Sequence, residues 1–136
     1  VTNTSLAQAY LTKAQKRLLA LRVLLQHEAY SDVVREAQEV VELALKGMLR
    51  QAGVEPPKWH DVGALLVEQR ERFPEEVRPR VEELARISSW LRKEREFSFY
   101  GDVDFVPTER YSRQDAERAL DDAELVVQVA SLAIPK

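Results

Sequence analysis

Apolar positions recur at steps of three and four over almost the whole chain, the spacing of one face of an α-helix. Leu6, Tyr10, Ala14, Leu18, Leu21 and Leu25 predict a first helix over residues 5–28, with Lys13, Lys16, Arg17 and Arg22 on its other faces. Ala29-Tyr30-Ser31-Asp32 reads as a short break with cap residues, and helices joined so tightly pack antiparallel. The second helix, Ser31 to Ala52, has the widest stripe: Val33/Val34, Ala37, Val40/Val41, Ala44/Leu45 and Met48/Leu49. Asp32 and Glu36 suit its positive N-terminal end and Arg50 the other end. Glu42 and Lys46 are spaced as an i,i+4 ion pair. Gly53 predicts a C-terminal cap. The small residues Ala37, Ala44 and Gly47 predict close approach by a neighbouring helix.

Val54–Trp59 (VEPPKW) is a stiff extended linker, because its two prolines fix the backbone and lack N–H donors. Asp61 follows His60 as a predicted N-cap for a short helix, Val62–Arg72, with Val62, Leu65, Leu66 and Phe73 as its apolar residues. A fourth helix is predicted from Pro74 to Phe97, with a kink at Pro79. Its inward stripe is Val77, Val81, Leu84, Ser88 and Leu91, flanked by Ile87 and Trp90. Periodicity breaks over Tyr100–Tyr111, a predicted loop. Ser112 then caps a last helix with Asp115 in the capping-box position. Its stripe is Ala116, Ala119/Leu120, Ala123, Val126/Val127 and Ala130, and Pro135 stops it. No strand, internal repeat or dividing linker is evident. The expected fold is a single all-α domain over residues 1–136, an up-down four-helix bundle with an additional short helix.

Composition narrows the chemistry. The 136 residues include no cysteine and only two histidines, which excludes disulfides, thiolate metal sites and cysteine nucleophiles, and argues against a multi-histidine metal site within one chain. No metal or cofactor is expected. The absence of any membrane-length apolar run or leader-like opening gives a cytoplasmic expectation. With 20 basic and 23 acidic residues the net charge is −3, so there is no global basic field of the kind duplex DNA binders use. Arginine nevertheless outnumbers lysine 14 to 6, and eight of the basic residues lie in Arg70–Tyr100. Arginine suits planar, bidentate phosphate contact, although a surface laced with ion pairs accounts for most such residues.

The fourth helix's stripe leads past Leu91 to Arg95, which lies 18 residues, or about five turns, after Val77. Arg92 follows Val81 by 11 residues, about three turns, and falls near the same face. A buried unpaired guanidinium is costly. These arginines therefore either pair with carboxylates, such as Glu94, Glu96 or Asp102, or line a wet anion cradle beside Tyr100 and Asp102. His60 is the remaining candidate; its plain role is local, as a helix-start residue beside Trp59. No phosphate-binding glycine loop, zinc-protease helix motif, serine-hydrolase elbow or calcium loop is present.

Two stretches, Tyr30–Leu66 and Leu91–Ala123, together resemble the HEPN (higher eukaryotes and prokaryotes nucleotide-binding) domain. The matching features, in order, are an alanine-bearing second helix, a Gly-x-x-x-Pro turn from Gly53 and His60-Asp61. A short helix, an arginine-rich fourth helix, Tyr100-Gly101-Asp102 and Asp115-Ala116-Glu117 follow. The resemblance implies a helical bundle, commonly a homodimer, that binds a nucleotide or RNA. It is often paired with a minimal nucleotidyltransferase in a toxin–antitoxin or substrate-binding unit. Ribonuclease members carry Arg, four to six residues, then His; here Arg95 is followed by Tyr100, and no histidine occurs after His60. Members that are nucleotidylated use a Tyr two residues after that His, where this chain has Asp102. The resemblance thus implies a non-catalytic module in which Arg92 and Arg95 contact phosphate, Tyr100 stacks on a base and Asp102 orients an arginine or sugar hydroxyl. The alternatives are a protein-interaction partner without a small ligand and a divergent metal-independent ribonuclease using His60.

Overall fold

The computed structural model describes residues 2–58, 61–99 and 110–136, with residues 96–99 described by backbone alone. Five α-helices lie within them: α1 (Asn3–Gln26), α2 (Tyr30–Gln51), α3 (Val62–Glu68), α4 (Val81–Phe99) and α5 (Arg113–Ala133). No strand occurs among the described residues, so the fold is all-α as expected.

The core forms around α2, which packs against α1, α4 and α5. Every residue of its expected stripe, from Val33 to Leu49, is completely buried. Full burial of a valine or leucine contributes about 1.5–3 kcal/mol before entropy is counted. Gly47 lets α1 come close: a Cβ there would lie 3.3 Å from the Ala7 carbonyl oxygen and 3.1 Å from Ile134 Cδ1. Polar contacts fix the directions of the helices. Gln8 donates to the Pro135 carbonyl at 2.9 Å and Arg22 meets Glu124 at 3.1 Å, so α1 and α5 run antiparallel. Arg95 late in α4 meets Glu39 early in α2, while Arg72, ahead of α4, reaches the Ala52 carbonyl after α2; these two helices also run antiparallel. Trp90 Nε1 donates to Asp122 at 2.9 Å and Arg118 lies 4.2 Å over the indole, which ties α4 to α5.

Several boundaries differ from expectation. The stripe of α1 is Ala7, Leu11, Ala14, Leu18 and Leu21, with Leu6, Tyr10 and Leu25 only half-buried, so the buried face is rotated at its N-terminal end. A reciprocal cap between Thr2 and Ser5 starts the helix at Asn3. The short helix leaves the α-form at Glu68 and continues as a 3-10 turn, Arg70–Arg72. The α-form of α4 begins at Val81, because Pro79 cannot donate to a preceding carbonyl and Arg78–Arg80 is a 3-10 turn instead. Val77 is buried as expected but precedes the helix. Within the expected loop Tyr100–Tyr111, Arg110 is helical and Tyr111 is not. Asp61 caps α3 through the Gly63 N–H, and Ser112 and Asp115 form the expected capping box on α5.

The break between α1 and α2 is His27–Ala29; Ser31 and Asp32 lie inside α2, which has no side-chain cap. The chain closes α1 with a Schellman turn, Ala29 N–H to the Leu24 carbonyl and Glu28 N–H to the Leu25 carbonyl, each 3.0 Å. That turn needs a left-handed residue, and Glu28 supplies it at φ 60°. Gly53 does the same after α2 at φ 80°, as expected. A side chain in this region costs about 1–2 kcal/mol, partly offset because glycine loses more entropy on folding. Glu28→Gly is therefore expected to raise stability by about 1 kcal/mol and the Tm by a few degrees. Thermal denaturation checks this; a lowered Tm would contradict the assignment.

Candidate functional site

The buried stripe of α4 is Val81, Leu84, Ser88 and Leu91. Arg95 is the next member, one turn beyond Leu91 and two beyond Ser88, so these residues rather than Val77 carry its register. It faces α2 but lies at the rim of the core: its side chain is 46% exposed, and Nη2 lies 2.7 Å from Glu39 Oε1. Glu39 is half-buried and takes the place that an aliphatic residue would fill deeper in the bundle. Pairing with a carboxylate was expected; the partner described is Glu39 on a different helix, while Glu96 and Asp102, two of the expected partners, lie outside the described side chains.

Arg92, three residues earlier, leans the other way. Its Nη1 lies 3.3 Å from Asp61 Oδ1, with the guanidinium-bearing side chain 36% exposed. The same Asp61 oxygen accepts the Gly63 N–H at 2.9 Å, so one carboxylate caps α3 and holds Arg92. Gly63 permits the approach: a Cβ there would stand 3.0 Å from Ala85 Cα on α4. Arg92 and Arg95 are thus each aligned by a carboxylate from a separate element. Neither Glu39 nor Asp61 was singled out as a site residue. The i,i+3 spacing marks the arginines, whereas their partners are set by packing.

Tyr100, Asp102 and His60 lie outside the described residues. In sequence, Tyr100 follows the last residue of α4, and His60 precedes Asp61. The basic residues of the 70–80 segment have structural engagements. Arg70 pairs with Glu82 and Arg80 with Glu83, while Arg78 donates to the Phe73 and Glu71 carbonyls. The ion-pair reading therefore fits these arginines well. Among the described residues no group of three His, Asp or Glu side chains could hold a metal ion, and no helix is long and apolar enough to cross a membrane.

The HEPN domain family model matches residues 7–133. The chain belongs to the HEPN family. It is similar to a protein of Methanocaldococcus jannaschii named "Putative toxin MJ1304", with 27% identity over 136 residues, covering 93% of this chain and 87% of the relative. No solved structure matches it. In this HEPN domain, α4 is described as far as Phe99, and Ser112 caps α5.

Tyr111, just ahead of that cap, ties the start of α5 to α4. It is 6% exposed, and its hydroxyl donates to the Glu94 carbonyl at 3.3 Å. Burial, then the negative charges of Glu94 and Asp115, push its pKa up to about 12 against the opposing pull of Arg110. Because the folded pKa lies above the unfolded value of about 10, Tyr111's contribution is intact below pH about 10 and is lost as pH rises toward about 12. Ultraviolet titration is expected to show one tyrosine ionising near pH 12 that is missing in Tyr111→Phe, a variant about 1 kcal/mol less stable. Unchanged titration in that variant would contradict the assignment.

Proposed function

We propose that this HEPN domain binds a nucleotide or a short single-stranded RNA end without cleaving it, with the Arg92–Arg95 pair as its phosphate contact. The observation that carries this reading is the placement of two guanidinium groups one turn apart on α4. Both are partly exposed, and each is oriented by a carboxylate from another element. Arginine suits the flat, bidentate recognition of phosphate oxygens, and a partly exposed ion pair is weak enough to be exchanged for such a contact. Tyr100 stacks on the base and Asp102 orients an arginine or a sugar hydroxyl, with His60 beside the site. The lack of any histidine after His60 removes the imidazole that a ribonuclease of this family would place there, which supports a binding role over a catalytic one. The unit acts as a homodimer in the cytoplasm and pairs with a minimal nucleotidyltransferase.

The relative's name contains the word toxin, and a second reading is a toxin–antitoxin component working through protein contact. Thermal shift with ATP, GTP and a short single-stranded RNA separates the two. Nucleotide or RNA at one hundred times its Kd is expected to stabilise the domain by about 2.7 kcal/mol. Arg95→Ala and Arg92→Ala are expected to remove most of that shift. Each changes the apo stability by less than about 1 kcal/mol, since partly exposed ion pairs are worth little. For RNA, the salt dependence of binding falls by about 0.7 logarithmic units for each phosphate contact removed. If no ligand shifts the protein, or if Arg95→Ala mainly destabilises the apo form, the protein-contact reading replaces this one. Cleavage of labelled RNA that is lost in His60→Ala would instead establish a ribonuclease.

A further inference from the structure

α1 carries apolar residues on two faces. One face is the core stripe, Ala7 to Leu21. The other holds Ala20, Val23 and Leu24 beside Leu19, with Leu19 59% and Val23 53% exposed. Ala20, Val23 and Leu24 line a groove of about 510 Å³ against α2, completed by Arg17, Asp32, Arg35 and Glu36. Large exposed aliphatic side chains gathered along a groove mark an unfilled contact.

Charge selects the occupant. α1 carries Lys13, Lys16, Arg17 and Arg22 and no acidic residue, although the chain as a whole is at −3. Arg22 is held by Glu124 and Arg17 by Glu36, which also pairs with Arg35. Lys13 and Lys16 are exposed and make no ion pair among the described residues. Lys16 lies on the row of Ala20 and Val23, and Lys13 on the row of Ala20 and Leu24, one to three turns before them. Asp32 is the opposing charge on the far rim, at the N-terminal turn of α2 where the helix dipole offsets it. A second copy across a two-fold axis would set one basic helix on another. We propose that the α1–α2 groove docks an acidic amphipathic helix of a different protein. Its apolar face covers Leu19, Val23 and Leu24, and its carboxylates meet Lys13 and Lys16. None of the residues lining the groove belongs to the arginine pair on α4 or to its two carboxylates.

The test uses two labelled synthetic helical peptides with the same leucine stripe at i, i+3, i+4 and i+7. One has glutamate at the flanking positions and the other lysine, and binding is read by fluorescence anisotropy. The acidic peptide is expected to bind at least about tenfold more tightly and to weaken with added salt. Val23→Glu, an exposed site whose change leaves the core intact, weakens it about tenfold or more by placing a like charge in an apolar contact. Leu132→Glu, at another exposed leucine outside the groove, leaves binding unchanged. Equal binding of the two peptides, no binding of the acidic one, or equal sensitivity to Leu132→Glu would overturn the proposal. Sedimentation showing a dimer that Val23→Glu dissociates would assign the face to a second copy and overturn it as well.

Discussion

The burial of α2 is the constraint on which the rest depends. Enclosed by α1, α4 and α5, it presents apolar or small side chains over most of its circumference, and its neighbours take their register from it. The enclosure also takes in Gln38, 1% exposed, whose Oε1 has no hydrogen-bond partner among the described residues. Buried polar groups without partners are costly, so the bundle tolerates this one against the large apolar gain around it. Gly47 sets the separation on the α1 side. On the α4 side the opposing stripes end at Leu91, and the next turn meets a carboxylate.

That change from aliphatic to charged contact is where the proposed site lies. Had Glu39 and Arg95 faced each other in the middle of the core, desolvation would have opposed their attraction strongly, and no ligand could reach them. At the rim the pair keeps much of its hydration. Its worth to folding is correspondingly small, about 1 kcal/mol or less. A pair so weakly coupled to stability still restricts where the guanidinium points. In the proposed function, an incoming phosphate competes with Glu39 without unfolding anything. Arg92 repeats the arrangement through Asp61, whose second task of capping α3 keeps the carboxylate fixed. The two arginines therefore belong to different packing contacts, α4 on α2 and α4 on α3, and the function proposed for them joins the two.

Much of this was legible in the chain. Period-3.6 patterning identifies α2, α4 and α5 almost residue by residue, because each has one dominant buried face. α1 was read one position off at its start because its apolar residues occupy two faces. From sequence, a half-exposed leucine such as Leu6 looks the same as a buried one such as Leu11. The start of α4 was placed early because Val77 continues the stripe in spacing, although Pro79 forbids the hydrogen bonds that would extend the helix through it. Arg95 could be found from the stripe it interrupts. Glu39 could not, since nothing local distinguishes it from Glu36; Glu42 has Lys46 one turn on in the same helix, whereas Arg17 and Arg95 reach Glu36 and Glu39 only when α1 and α4 pack. Glu28 resisted reading for a related reason: a glutamate in a left-handed turn has no sequence signal, and only the closure of α1 onto α2 demands it.

The central claim is that Arg92 and Arg95, aligned by Asp61 and Glu39, trade part of those contacts for ligand phosphate. The most direct measurement follows the arginine Nε–Hε resonances by nuclear magnetic resonance during titration with a short 5′-phosphorylated RNA. The account predicts saturable shifts for Arg92 and Arg95, while those of Arg70 and Arg80, tied to Glu82 and Glu83, stay in place. Shifts spread evenly over all the arginines, or none at positions 92 and 95 while the ligand binds, would contradict it.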